Sequence, residues 1–337
     1  MTPEEHEKLL NDNVTKTYEK APKLQKSAIN MEAKHIATTH KVEKLAETLA
    51  ESPAFISLND HKDNFHQKHP CRLINPCKSN IGVISKSILD RVNSDLRQKL
   101  KINQWKNTED VISWFDSIEN KNSCTFTQMD IKEFYPKITH EILDKALSFA
   151  KKHTKIDEKE IRTILHCRKS LLFFKNEAWK KSETESCFDV TMGSFDGAEI
   201  CELVGIYILT HLSKIVLKKN VGLYRDDGLL ILRNFTKRQA EINRQKIIKV
   251  FKDIGFEIEI SINSKTADFL DITLDLSNGT HRPYKKPNDQ LRYIHTSSNH
   301  PKNIITIINH LPKSINKRLS QNSSNAKIFD QAKVEYE

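Results

Sequence analysis

The chain has 337 residues, a formal net charge of +10 at neutral pH, 37% hydrophobic side chains and 29% charged side chains. This length and apolar content are enough to bury a core in one large lobe or two to three small ones, which excludes a disordered polymer. The excess of basic residues favours a polyanionic partner, nucleic acid first.

The sequence shows no signal for secretion or membrane insertion. It begins MTPEEHEKLL, which is acidic and polar, unlike a secretory signal peptide. Its longest strongly apolar run, Leu203 to Leu209, is far too short to span a bilayer. Six cysteines in a chain this long do not indicate a disulfide framework. We therefore expect an intracellular protein, nuclear or cytoplasmic, with no membrane partner.

The first part of the chain predicts helices interrupted by short strands. Prolines bracket two helical stretches within residues 1–53. Residues 54–58 and 72–74 are typical of strands, and residues 81–118 are mostly helical in pattern. Residues 125–131 predict a buried strand that carries Asp130 at its end.

The second part predicts an antiparallel sheet backed by helices. A helix with an apolar face begins at Thr139, and Asp157 opens another through a capping box with Glu160. The Asn278-Gly279 pair is a hairpin signal. The remaining predicted elements are helices over 198–218 and 237–253 and strands over 221–224, 229–232, 256–262 and 269–276. This order predicts an α+β fold.

Glycine is concentrated in one stretch of the sequence. Seven of the eight glycines lie between Gly193 and Gly279. Such a distribution indicates tight turns or close backbone approach in that stretch. Turn chemistry suffices to explain Gly279. At Gly193 the neighbouring residues favour a functional role, and a helix N-cap turn is compatible with that role.

Three aspartates stand out by their positions. Asp130 ends a buried strand, and Asp226 and Asp227 lie between the two apolar strands at 221–224 and 229–232, within the linking residues 225–228. An isolated Asp-Asp pair is most often a solvated acidic turn. Together with a third carboxylate, however, it is stabilised when divalent cations bind. Two such cations roughly 3.5–4 Å apart can hold both oxygens of an in-line phosphoryl displacement.

Four motifs occur in an order that resembles reverse transcriptases, over roughly residues 54–310. They are the Tyr-x-Asp-Asp box at 224–227, the first carboxylate motif at 130–138, the glycine-bearing substrate motif at 192–197, and the last palm motifs with the primer grip at 255–271. Within that family the chain looks most like the retroelement enzymes of Penelope-like elements. The features that carry this finer resemblance are His61-Lys62 and residues 269–273, 284–287 and 298–301.

The resemblance implies a right-hand polymerase of fingers and palm with an antiparallel palm sheet backed by helices and a partial helical thumb. The implied domains are a helical extension (1–53), fingers (54–120), a palm with inserted fingers helices (121–280) and the start of a truncated thumb (281–337). An endonuclease domain, which the Penelope-like resemblance leads one to expect, does not follow within the sequence.

The resemblance also assigns the metal ligands. Asp130 and Asp226 would be the principal ligands of two Mg²⁺ or Mn²⁺ ions, with Asp227 as a nearby third carboxylate. The partners implied are an RNA template, a DNA primer and deoxynucleoside triphosphates. Basic residues that could contact phosphates, or could equally form solvated helix faces, are dense at 168–181, 213–219, 237–252 and 313–318.

Five further residues are implied to bind the nucleotide. Tyr135 would stack under the sugar and exclude a 2′-hydroxyl, or else is a core aromatic. Gly193 would allow the backbone to approach the template base and nucleotide. Lys62 and Arg72 would grip the triphosphate from the fingers, and Lys265 would donate a proton to pyrophosphate; solvated surface positions are the alternative for each.

Three functions therefore remain open from the sequence. The first is template-directed DNA synthesis from RNA by two-metal nucleotidyl transfer. The second is a catalytically inactive remnant of a retroelement polymerase that still binds nucleic acid. The third is an RNA-templated RNA polymerase, which would share the palm and its carboxylates. The oligomeric state is not indicated by the sequence.

Overall fold

The computed structural model describes residues 2–43, 51–59, 65–76, 80–182 and 187–284. These residues form two compact units, and each unit is built from three separate stretches of the chain. The first unit draws on 1–104, 131–218 and 249–257, and the second on 105–130, 219–248 and the described residues from 258 onward. Both units therefore depend on contacts between residues that are distant in sequence.

The helices follow the predicted order with adjusted bounds. They are α1 (Pro3–Thr17), α2 (Lys23–Thr39), α3 (Phe65–Lys68), α4 (Ile81–Leu100), α5 (Thr108–Asp116), α6 (Phe134–Lys137), α7 (His140–His153), α8 (Glu158–His166), α9 (Gly197–Leu212) and α10 (Lys237–Ile254). Within the described ranges, none of them combines the length and apolar character needed to cross a bilayer.

The strands are short and lie in both units. They are β1 (Tyr18–Lys20), β2 (Phe55–Leu58), β3 (Cys71–Ile74), β4 (Asn103–Gln104), β5 (Cys124–Ile131), β6 (Leu172–Phe174), β7 (Glu177–Lys181), β8 (Val221–Tyr224), β9 (Asp227–Arg233), β10 (Ile258–Ser264), β11 (Thr266–Phe269), β12 (Ile272–Asp275) and β13 (Thr280–Pro283).

The first unit is mainly helical. Helices α4, α7, α8 and α9 pack against one another, while β1, β7 and β6 form a small sheet and β2 pairs antiparallel with β3. Helix α7 buries the apolar face predicted for it, and α8 begins with the predicted capping box between Asp157 and Glu160. These local predictions are confirmed.

The second unit contains the sheet that carries the aspartates. Strands β10, β5, β9 and β8 are neighbours in that order, and β9 is antiparallel to both β5 and β8. Phe126 of β5 lies opposite Ile231 of β9, and both are buried in a core with α5 and the β11–β12–β13 sheet. Gly222 leaves room for Trp105, because a Cβ there would lie 2.3 Å from the indole ring. The predicted α+β architecture with an antiparallel sheet is confirmed.

The stretch 81–118 is mostly helical, as predicted, with β4 between α4 and α5. Three predicted bounds were wrong. The strand predicted over 269–276 is divided by a turn at Leu270 and Asp271. Helix α9 ends at Leu212 instead of 218, and the Ser213 hydroxyl donates back to the Leu209 carbonyl at 2.7 Å, a bond that competes with helix continuation. The loop between β8 and β9 has two residues instead of four.

The domain boundaries at residues 53, 120 and 280 stay predictions. The two compact units divide the chain at other positions, since each combines stretches assigned to fingers and to palm. Nearly all of the predicted thumb, beyond residue 284, lies outside the described residues.

Candidate active site

The hairpin of β8 and β9 ends in a strained two-residue turn. Tyr224 and Asp227 form its last cross-strand pair, so Arg225 and Asp226 make the turn. Arg225 has φ +53°, and a hairpin turn with positive φ at its first central residue alone normally has glycine there. A non-glycine residue in this region costs roughly 1–2 kcal/mol. Eleven other non-glycine residues of the described ranges also have positive φ, so the strain at Arg225 is of interest because of its position beside Asp226 and Asp227.

The ladder between β5 and β9 places Asp130 directly opposite Asp227. Side chains of directly opposed residues share one face of the sheet, with Cβ atoms about 4.5–5.5 Å apart. Asp226 adjoins this pair in the turn. Asp130 is exposed, and Asp226 and Asp227 are half-buried. The fold therefore gathers the three predicted carboxylates at one end of one sheet.

A cleft of about 400 Å³ adjoins the opposed pair. Besides Asp130 and Asp227, its lining includes Glu259 and Asp268, which the sequence analysis missed. Asp268 accepts a hydrogen bond on its carboxylate from the Thr273 hydroxyl at 2.5 Å. Their sequence signals were weak: Glu259 lies on the polar side of an alternating strand, and Asp268 precedes the 269–271 motif by one residue. The cleft is rich in carboxylate oxygen.

The tip of a second hairpin also lines this cleft. Phe269 and Ile272 are the last pair between β11 and β12, so Leu270 and Asp271 form the turn. Leu270 has φ +54°, which is again unusual for a non-glycine residue. The Thr108 hydroxyl donates to the Asp271 carboxylate at 2.9 Å. This bond ties the second hairpin to the start of α5.

Three of the predicted nucleotide-binding residues lie in the first unit. Gly193 has φ +117°, and a Cβ there would lie 2.7 Å from the Asn75 carbonyl oxygen, so only glycine fits. Tyr135 is half-buried in α6, and its Cε1 lies 3.7 Å from the position a Cβ on Gly197 would take. Arg72 is exposed on β3, three residues before Asn75. Lys62 lies outside the described residues.

Lys265 occupies a different place from the one its predicted role requires. Its Nζ donates to the carbonyl oxygens of Asn122 and Cys124, each at 2.7 Å, at the start of β5. Asp130 is six residues further along the same strand, which at ~3.3 Å per residue is about 20 Å away. Lys265 therefore anchors the turn between β10 and β11, and it lies too far from Asp130 to donate a proton to pyrophosphate there.

The family follows from a match over most of the chain. Residues 61–294 match the model of the family described as reverse transcriptase (RNA-dependent DNA polymerase). The chain belongs to the reverse transcriptase family. The comparison with curated proteins found no match to this chain.

Solved polymerase structures share the fold. Telomerase from Candida albicans, in complex with a telomeric RNA fragment, aligns with a TM-score of 0.57 at 10% identity over 92% of this chain and 53% of its own. Apo telomerase from Candida tropicalis truncated from its C-terminal domain gives 0.51 at 13% identity, over 77% and 60%. The RNA-dependent RNA polymerase of a human picobirnavirus gives 0.53 at 10%, over 83% and 64%.

These similarities establish a polymerase-like fold and nothing more specific, because the identities are so low. The reverse transcriptase spans between about half and two thirds of the length of these three structures. The finer resemblance to Penelope-like elements stays a prediction.

The donor set of the reverse transcriptase suits a hard divalent cation. Across the described part of the chain, no three His, Cys, Asp or Glu side chains converge in a group that could hold a metal ion. Mg²⁺ does not require such a cage, because it is commonly bound by one or two carboxylates together with waters and substrate phosphates. The opposed Asp130 and Asp227 meet that smaller requirement.

Proposed function

We propose that this reverse transcriptase is an RNA-directed DNA polymerase of retroelement origin, with Penelope-like elements as its relatives. It would join deoxynucleotides to the 3′-hydroxyl of a primer along an RNA template and release pyrophosphate. The observation that carries the proposal is the placement of Asp130 opposite Asp227 at the end of β5 and β9, beside the strained turn that holds Asp226.

The carboxylates would hold two divalent cations on a rigid platform. Asp130 and Asp226 serve as the principal ligands and Asp227 as the third. Neighbouring strands fix the spacing of Asp130 and Asp227 more firmly than a loop would, and Asp226 adjoins them in the two-residue turn. Bound Mg²⁺ or Mn²⁺ supplies Lewis-acid stabilisation to the attacking 3′-oxygen and to the triphosphate charge.

The resemblance assigns further residues to the orientation of the nucleotide. Tyr135 stacks under the sugar, and Gly193 presents bare backbone to the base. Arg72 offers a two-pronged guanidinium to phosphate oxygens, with Lys62 assigned beside it on the resemblance alone.

Primer extension on poly(rA)/oligo(dT) with Mg²⁺ or Mn²⁺ tests the activity. We expect incorporation by the wild type and a loss of roughly 10²–10³-fold in Asp226→Asn, because preorganised charge stabilisation at the transition state is removed. Asp144→Asn, an exposed position on α7, is the matched control and keeps full activity. Equal incorporation by both variants would refute the assignment of Asp226.

A second candidate function is a catalytically inactive nucleic-acid-binding remnant. This function requires only a basic surface, which the formal net charge of +10 supports. A wild-type protein that binds primer–template in a salt-dependent manner, yet incorporates nothing with either cation, would support the remnant over the enzyme.

Sugar selection separates DNA synthesis from RNA synthesis. We expect the wild type to prefer deoxynucleotides and Tyr135→Ala to accept ribonucleotides more readily. Tyr135→Phe keeps the ring and should keep the preference. If the wild type prefers ribonucleotides, the protein is an RNA-templated RNA polymerase. If Tyr135→Ala selects sugars as the wild type does, Tyr135 does not exclude the 2′-hydroxyl.

A further inference from the structure

A fully buried ion pair lies at the start of α9 in the first unit. The side chains of Arg168 and Asp196 are each 1% exposed, and Nη2 of Arg168 donates to one carboxylate oxygen of Asp196. The Ser85 hydroxyl donates to the other oxygen. Nε and Nη1 of Arg168 have no hydrogen-bond partner within the described residues. Asp196 is therefore the main compensation for a buried guanidinium.

Such a pair is an unexpected way to stabilise a fold. Removing two charges from water costs about as much as their attraction returns, so well-packed apolar residues often serve stability equally well. The best-attested benefit of a buried polar pair is that it selects one local arrangement. The question is which arrangement this one selects.

The pair acts on the segment Thr191–Gly197. Asp196 is the N-cap residue of α9, yet its side chain caps no helix amide and is bound to Arg168 and Ser85 instead. An aspartate at this position ordinarily accepts from the first turn of its helix. Here it fastens the entry segment to the end of α8 and to α4.

This segment contains or contacts two of the residues proposed to meet the nucleotide, Gly193 and Tyr135. Gly193 lies within the segment, and its Cα packs against the carbonyl oxygen of Asn75. Gly197 is the last residue of the segment, and Cε1 of Tyr135 lies 3.7 Å from the position that a Cβ on Gly197 would take. A shift of Asp196 would therefore be transmitted to Gly193 and to the Tyr135 ring together.

We propose that Arg168 and Asp196 are positioning residues, which lock the segment 191–197 so that Gly193 and Tyr135 present one fixed surface to the incoming nucleotide. The proposal rests on the proposed polymerase function for its kinetic consequence. The lock itself is a property of the segment and can be measured without activity.

The test compares two charge-free double variants of the whole chain. Arg168→Met/Asp196→Leu removes the lock without stranding a charge. Arg97→Met/Glu202→Leu is the matched control, because Arg97 of α4 and Glu202 of α9 form a less buried ion pair, 2.8 Å long, one to two turns further along α9. Asp196→Asn, which keeps the shape of the side chain but only one of its two acceptor oxygens, serves as the milder second variant.

The measurements are amide hydrogen exchange over residues 192–196 and the KM and kcat for deoxynucleotides. We expect Arg168→Met/Asp196→Leu, the lock variant, to exchange the amide hydrogens of residues 192–196 about tenfold faster than the wild type. We also expect its KM to rise about tenfold with kcat within threefold, because misplacing a bound substrate lowers catalytic efficiency by this factor or more. The control variant should change neither, and Asp196→Asn should fall between.

Unchanged exchange over 192–196 in the lock variant would overturn the proposal. So would faster exchange spread equally over α7, which would mark the pair as a general packing element. If the wild type incorporates no nucleotide, the polymerase function fails, while the exchange comparison still decides whether the lock exists.

Discussion

The opposed carboxylates of Asp130 and Asp227 predict a measurable repulsion in the metal-free protein. Changing either residue to asparagine removes the repulsion between the two carboxylates. Changing the second residue as well then brings no further gain in stability from this pair. A double-mutant cycle isolates that term from whatever else each side chain contacts.

The size of the repulsion follows from the register. Directly opposed Cβ atoms are about 5 Å apart, which puts the carboxylates roughly 6 Å apart. Two like charges at that distance repel by about 0.7 kcal/mol in water, and by about 1.4 kcal/mol at an effective dielectric constant near 40. Asp130 is exposed and Asp227 half-buried, so we expect a coupling energy between these values at low ionic strength, where screening is weak.

The assay is urea unfolding of the wild type, Asp130→Asn, Asp227→Asn and the double variant, in EDTA and in millimolar Mg²⁺. In EDTA the coupling should be repulsive. In Mg²⁺ the wild type should gain about 1.4 kcal/mol when the cation is at ten times its Kd, and each variant should lose most of that gain. A coupling of zero in EDTA, with all four proteins stabilised equally by Mg²⁺, would refute the paired arrangement.

Three further predictions concern the first unit. Gly193 and Gly255 both have φ +117°, so replacing either with alanine should lower the free energy of unfolding by about 1–3 kcal/mol through backbone strain. In urea unfolding Gly193→Ala should be the more destabilising, because its Cβ would meet a carbonyl oxygen at 2.7 Å, whereas the Cβ of Gly255→Ala would meet a flexible methyl group at 3.2 Å. Equal losses of stability in the two variants would contradict this. Asp196→Ala should destabilise the protein by about 3–5 kcal/mol in thermal unfolding, because it leaves the buried charge of Arg168 unpaired. The double variant Arg168→Met/Asp196→Leu should recover most of the lost stability. If it recovers none, the unpaired charge is not the cause of the destabilisation. Burial lowers the pKa of His166 in the folded protein, whereas in the unfolded chain this histidine binds a proton near its usual pKa of about 6.5. The free energy of unfolding should therefore fall as the pH drops below about 6.5. His166→Gln should remove this part of the pH dependence, and an unchanged pH profile in that variant would contradict the assignment.

The elements that local chemistry specifies could be predicted from the sequence. The apolar spacing and the Thr139 cap define α7, and the alternation after residue 257 defines β10. Asn278-Gly279 marks the turn before β13, as expected. The end of α9 and the break between α4 and α5 could not be predicted in this way, because apolar spacing continues past both positions.

The candidate site could be predicted only in part. The motifs indicated that Asp130 should meet the 226–227 turn, but the register that sets Asp227 opposite it depends on a two-residue turn with positive φ at Arg225. Arg168 lies in a basic stretch that suggested a phosphate contact or a solvated face, whereas it is buried on Asp196. Lys265 had the position expected of the motif, yet its hydrogen bonds are to carbonyls at the far end of β5. Each of these outcomes depends on residues distant in the chain.

The interleaving of segments has a consequence for how the protein is made. Strand β5 leaves the ribosome before its partner β9, whose first residue comes roughly 100 residues later, a delay of about 5–20 s at ordinary elongation rates. During that interval an apolar strand has an unpaired edge, the form most prone to join another chain. The carboxylate pair is thus assembled late in translation, and protection of the nascent chain during that delay should govern the yield of native protein.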